Sequence, residues 1–128
     1  MRVEYQPGVC NIGRFERRRR FALGVISLLI VIGIVAGVLS LGWPSESVVV
    51  TWPLMYAAAV GFIQYRVHFC GGFALLGVFN VGDGTRKVTD PRATEADRRR
   101  ALRLHIWATI VSVIGLLITY GLVVIGLF

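Results

Sequence analysis

Three long apolar runs, none holding a Lys, Arg, Asp or Glu, alternate along this chain with polar stretches that carry all of the charge. The first run, Phe21 to Gly42, is long enough to cross about 30 Å of hydrocarbon at about 1.5 Å per residue. Arg17 to Arg20 stop it on one side, and Trp43 and Pro44 on the other. A retained membrane helix is expected rather than a cleaved leader. The basic region before it is long, the run has span length, and no small-residue cleavage site precedes Trp43. The linker from Trp43 to Ser47 is too short to hold a domain, so the second run must turn straight back. That run covers Val48 to Tyr65, with Pro53 in its first turns, where a missing amide hydrogen is tolerated best. The third run is Leu104 to Phe128.

The segment between the second and third runs is less regular. Val67 to Val81 is apolar and Gly-rich but short for a span of about twenty residues. If it crossed, the basic block behind it would be stranded on the far side. A re-entrant or interfacial segment is predicted, with Phe69, Phe73, Leu76 and Phe79 facing lipid or the hairpin. Asp90-Pro91 then reads as an N-cap followed by proline at the first helical position. Thr94-Glu-Ala-Asp97 offers an overlapping capping box. One helix is therefore expected to begin in water near Pro91 and continue through the third run. The predicted organisation is a basic arm at 1–20, a transmembrane hairpin at 21–65, an interfacial segment with a basic loop at 66–103, and a third transmembrane helix at 104–128.

Charge orients these elements. All fourteen Lys and Arg residues lie in two blocks, Arg2 to Arg20 and Arg66 to Arg103, while the linker between the first two runs holds only Glu46. By the positive-inside rule the N-terminus and the 66–103 loop are cytoplasmic and the C-terminus is outside. The expected fold class is an all-α integral membrane protein with three transmembrane helices in that orientation. Arg17, Arg18, Arg19, Arg20, Arg98, Arg99 and Arg100 are candidates for lipid headgroup contact, since the anionic inner leaflet attracts such clusters. The net charge of +7 would suggest nucleic acid in a soluble protein. Here the basic residues flank apolar spans, and 55% hydrophobic residues is too oily for a soluble domain of 128 residues. Membrane lipid is the expected partner and nucleic acid is not.

Candidate chemistry is sparse. Cys10, Cys70, His68 and His105 all fall on the basic side and together hold the atoms of a soft-metal or haem site. None forms a short Cys-x-x-Cys or His-x-x-x-His pair, so only tertiary folding would gather them. Neither a cofactor nor a metal is predicted, and a cytoplasmic disulfide between Cys10 and Cys70 is disfavoured by compartment. The ordinary reading is two free thiols packed as small hydrophobes. No charged residue lies within a span, which argues against a proton relay, a voltage sensor or a coupled transporter. Paired intramembrane carboxylates, catalytic triads and phosphate loops are absent from the sequence, and no enzyme is expected. Gly33 with Gly37 and Ala57 with Gly61 are small-xxx-small pairs that let helices approach closely, within the hairpin or between copies.

Two segments carry a family resemblance. Cys10-Asn-Ile-Gly-Arg-Phe-Glu16-Arg-Arg-Arg-Arg-Phe-Ala-Leu-Gly24 resembles the opening of the YgaP-like small inner-membrane family, and Phe69-Cys70-Gly-Gly-Phe-Ala-Leu-Leu-Gly77-Val-Phe-Asn80 is similar to its closing segment. The resemblance covers about residues 10 to 80. It implies a prokaryotic membrane hairpin, often without assigned function and sometimes joined to a sulfur-transfer domain. Gly71 stands where the family usually has proline, and the third helix has no counterpart there. The resemblance also implies that Asn11 and Gly13 turn the arm under the membrane, and that Glu16 pairs with nearby arginines. The functional expectation is a small non-catalytic membrane protein, a structural or accessory subunit against a larger membrane complex. Alternatives are a redox, haem or sulfur-handling protein built on Cys10, Cys70, His68 and His105, or a self-associating homo-oligomer.

Overall fold

A computed structural model describes residues 4–82 and 84–126. It is mostly helical and contains three helices long and apolar enough to span a membrane. Helix α1 covers Arg14–Leu41. At about 1.5 Å per residue its 28 residues measure about 42 Å, so the arginine-rich first two turns extend beyond the apolar run of the same rod. The basic arm expected at 1–20 is therefore helical from Arg14 onward. The helix ends where Gly42 adopts a left-handed φ of 72°, and Pro44 behind it forbids continuation.

The chain reverses through a 3-10 segment, Ser45–Thr51, that feeds directly into α2, Trp52–Val67. Pro53 sits in the first turn of α2, where its missing N–H costs nothing. Helix α2 stops at His68, whose φ of 58° makes it the one non-glycine residue with positive φ among the described residues. A short helix α3, Gly71–Leu76, follows, and then a small antiparallel hairpin of β1, Val78–Phe79, and β2, Arg86–Lys87. At six residues, or about 9 Å, α3 is far too short to cross a bilayer. Its neighbour Phe69 is fully buried in protein rather than facing lipid, whereas Leu76 is exposed. Phe79 stacks on Tyr5, with ring centroids 4.3 Å apart.

Helix α4 runs Pro91–Gly126, about 54 Å, and does begin in the polar loop as the Asp90-Pro91 signal predicts. Asp90 Oδ1 accepts the Arg92 N–H at 3.0 Å, and the Thr94 N–H and hydroxyl both donate to the Asp90 carbonyl. With Asp90 in that role, the second capping box is not made. Asp97 is instead fully buried, two turns into the helix.

Helix α4 packs against α2 and α3 at the basic end and against α1 and the 3-10 segment at the other. At the basic end, Phe69, Ala74, Ala101 and Leu104 form one core cluster, with Ile63 and Val67 against it. At the other end, Val38, Val48 and Val123 form a second, with Val35, Leu116 and Tyr120. Between them lies a lateral groove of about 470 Å³, walled by Leu28, Val31 and Val35 of α1, Met55, Ala58 and Phe62 of α2, and Ser112, Gly115 and Thr119 of α4.

The α1–α2 hairpin closes on glycines, but only partly on the expected ones. A Cβ on Gly61 would lie 2.6 Å from the Arg20 carbonyl oxygen and 3.0 Å from the Gly24 nitrogen, so the two backbones are in direct contact there. Gly24, which has no small partner four residues away, is the missed half of that contact. Gly37 is covered by the ring of Trp43, folded back from the linker, rather than by a neighbouring helix. Gly33 has nothing within 4 Å, and Ala57 is exposed while Ala58 beside it is buried.

Candidate functional site: a polar cap at the basic end

The N-terminal arm is stitched to the α2–α3 turn, to Asn80 beyond β1 and to the first turns of α4. Residues Gln6 to Cys10 close a tight turn, with the Gln6 N–H donating to the Cys10 carbonyl at 2.8 Å and Gly8 at a φ of 69°. Asp97 reaches this turn from α4. Its carboxylate accepts the Tyr5 hydroxyl at 2.5 Å and the Gly8 N–H at 2.7 Å. A buried carboxylate is tolerable because two donors meet it. Burial, and then the hydrogen bond to Asp97, push the Tyr5 hydroxyl well above the usual tyrosine pKa.

Asn11 is the hinge pin of the cap. Its side chain is fully buried, donates from Nδ2 to the Cys70 carbonyl at 2.9 Å and accepts the Cys70 N–H on Oδ1 at 2.6 Å. Its backbone adds two more ties, accepting the Asn80 N–H at 2.9 Å and donating to the His68 carbonyl at 3.3 Å. Ile12 pairs with Asn80 as a parallel bridge, and the Gly13 N–H donates to the Asn80 carbonyl. A Cβ on Gly13 would lie 2.7 Å from the Val81 carbonyl oxygen, so only glycine permits this approach.

The arginine block is divided in its duties. Glu16 is buried in the first turn of α1, where a carboxylate suits the helix dipole. It pairs with Arg19 at 3.2 Å and with Arg20 at 3.0 Å. The second contact falls short of hydrogen-bond geometry, since Glu16 Oε2 has no hydrogen-bond partner among the described residues. Arg20 is turned inward, not toward a headgroup: its Nη2 donates to Cys70 Sγ at 3.3 Å and its guanidinium lies 5.3 Å over the Phe73 ring. Arg17 donates to the Tyr65 carbonyl at 3.0 Å and covers the Tyr65 ring. Arg18, Arg19, Arg98 and Arg99 are exposed, and Arg100 is half-buried. Arg99 pairs with Glu95 on its own helix.

The four candidate ligands occupy separate environments. The Cys10 thiol donates to the Ile12 carbonyl at 3.5 Å, and burial pushes its pKa up. The Cys70 sulfur caps α3, accepting the Phe73 N–H at 3.5 Å as well as Arg20. Both thiols are free. His68 is exposed, and its pKa is lowered by partial desolvation and by Arg17. His105 hydrogen-bonds through Nδ1 to the Tyr56 hydroxyl, while its Nε2 edge faces Gly71. Among the described residues no group of three or more His, Cys, Asp and Glu side chains is placed to hold a metal. Apart from Glu16 Oε2, the buried polar side chains of the cap are spent on one another and on backbone. The arrangement is a latch that ties the arm, the α2–α3 turn and the foot of α4 into one body.

The sequence does not single out Tyr5, and it gives Asn11, Arg20 and Asp97 other roles, as an arm turn, a headgroup contact and a helix cap, because their partners lie 50 to 92 residues away. No family model, no curated protein and no solved structure matches this chain.

Proposed function

We propose that this is a small non-catalytic multi-pass membrane protein that packs laterally, as a structural or accessory subunit, against helices of a larger membrane complex. Its N-terminus and its 66–103 loop face the cytoplasm of a prokaryotic cell and its C-terminus faces outward, the orientation that the two basic blocks favour. The observation that carries the reading is the groove between the two core clusters. Its lining includes Ala58, Ala59, Ser112 and Gly115, small side chains that let a partner helix approach closely. The Ser112 and Thr119 hydroxyls already donate to carbonyls of their own helix, so the wall favours packing over polar recognition.

The test is a native mass spectrum of the protein released from its own membranes in mild detergent, beside the variant Gly115→Leu. A heteromeric mass that is lost in the variant supports an accessory subunit docked in the groove. Multiples of 14.1 kDa alone would replace this reading with a self-associating homo-oligomer. The redox or sulfur-handling alternative has one contact in its favour, the Arg20 guanidinium on the Cys70 sulfur. A haem mass, or added sulfur on Cys70, in the same spectrum would move the assignment there.

A further inference from the structure

A second concavity lies at the basic end, on the face shared by α2 and α4, with a volume of about 420 Å³. Its α4 wall is a single stripe: Arg100, the adjacent pair Arg103 and Leu104, Trp107 and Val111 recur every three or four residues along the helix. Ile63 and Val67 of α2 supply the opposite wall. The slot is therefore cationic at one end and apolar along the rest. From Arg100 to Val111 the helix rises about 16 Å, close to the half-thickness of a hydrocarbon core of about 30 Å. Trp107 is exposed between the charged and the apolar ends, where an indole suits the headgroup boundary. Among the described residues Arg100 and Arg103 make no ion pair, in contrast to Arg99 beside them.

We infer that this slot binds one anionic phospholipid of the leaflet on the basic side, its phosphate held by Arg100 and Arg103 and one acyl chain lying against Leu104, Ile63 and Val111. The charge, the depth and the apolar lining each match a different part of that molecule. An apolar helix from a partner would leave the two guanidinium groups unanswered, and a free anion would leave the lane empty. The inference rests on the membrane-spanning reading and is independent of the accessory-subunit proposal.

The experiment uses the full chain reconstituted in bilayers of equal palmitoyl-oleoyl phosphatidylglycerol and phosphatidylcholine, stripped progressively in a native mass spectrometer. The expected result is one phosphatidylglycerol retained per chain after the rest have gone. Arg100→Gln with Arg103→Gln should weaken retention about thirtyfold, since two headgroup arginines are lost. Arg86→Gln with Arg92→Gln removes the same charge at exposed positions outside the slot and should leave retention within about twofold. Ile63→Trp, which fills the lane without touching charge, should release the lipid. Equal loss in both arginine pairs, equal retention of phosphatidylcholine, or no retained lipid in the parent would each overturn the inference. Circular dichroism of every variant separates loss of binding from loss of fold.

Discussion

Replacing Asn11 by Ala should unlatch the arm without dismantling the helices. The side chain satisfies both the N–H and the carbonyl of Cys70, at 2.6 and 2.9 Å, in a position with no solvent exposure. Removing it strands two buried backbone groups at about 1–3 kcal/mol each. Taking the lower bound for both gives about 2 kcal/mol, or about thirtyfold in the population of the opened cap. Cys70 is a built-in reporter of that opening, since it is buried in the latched state. In a Cys10→Ser background, maleimide labelling of Cys70 in bilayers should accelerate about thirtyfold in Asn11→Ala. Asn11→Asp should accelerate it too, because a carboxylate oxygen then faces the Cys70 carbonyl. Helix content by circular dichroism should stay constant, as the latch lies outside the spans. A labelling rate within about twofold of the parent would refute the assignment of Asn11 as the pin, because an unopposed pair of buried groups cannot cost so little.

Three further outcomes are expected. The pKa of Tyr5 is raised in the folded cap, so the folded state holds that proton more tightly than the unfolded one. This contribution to stability is complete below the ordinary tyrosine value of 10.0 and declines as pH rises past it. Cys70 labelling should therefore accelerate above about pH 10, and Tyr5→Phe should flatten that dependence. Gly61→Ala should destabilise the hairpin by about 1–3 kcal/mol through overpacking on Arg20 and Gly24. Gly33→Ala, with open space around it, should be neutral or stabilising by up to about 1 kcal/mol. Thermal melts of both in the same detergent check the contrast, and a Gly33 variant that melts lower would restore that glycine to an interface. A topology reporter fused after Phe128 should read outside, and a cytoplasmic reading would reverse the proposed orientation.

What the amino-acid sequence determined by itself is local. Span length, the Gly42-Pro44 stop, the Asp90-Pro91 start and the gathering of arginines at one end follow from each segment's own composition. Hydrocarbon imposes its demand on every segment separately. Which face each helix turns inward was decided only by the tertiary structure. A helix apolar on all sides has no amphipathic stripe, so spacing named Gly33 and Gly37 on α1 while Gly24 made the contact with Gly61, the one glycine of the contact that spacing did name. The cap was hidden for a related reason. Asp97 read as a local capping residue until an arm 92 residues away supplied its donors, and Arg20 read as a headgroup ligand until the Cys70 sulfur and Glu16 drew it inside. Polar groups near a membrane surface can be answered by water, lipid or protein, and only the folded path of the chain chooses among them.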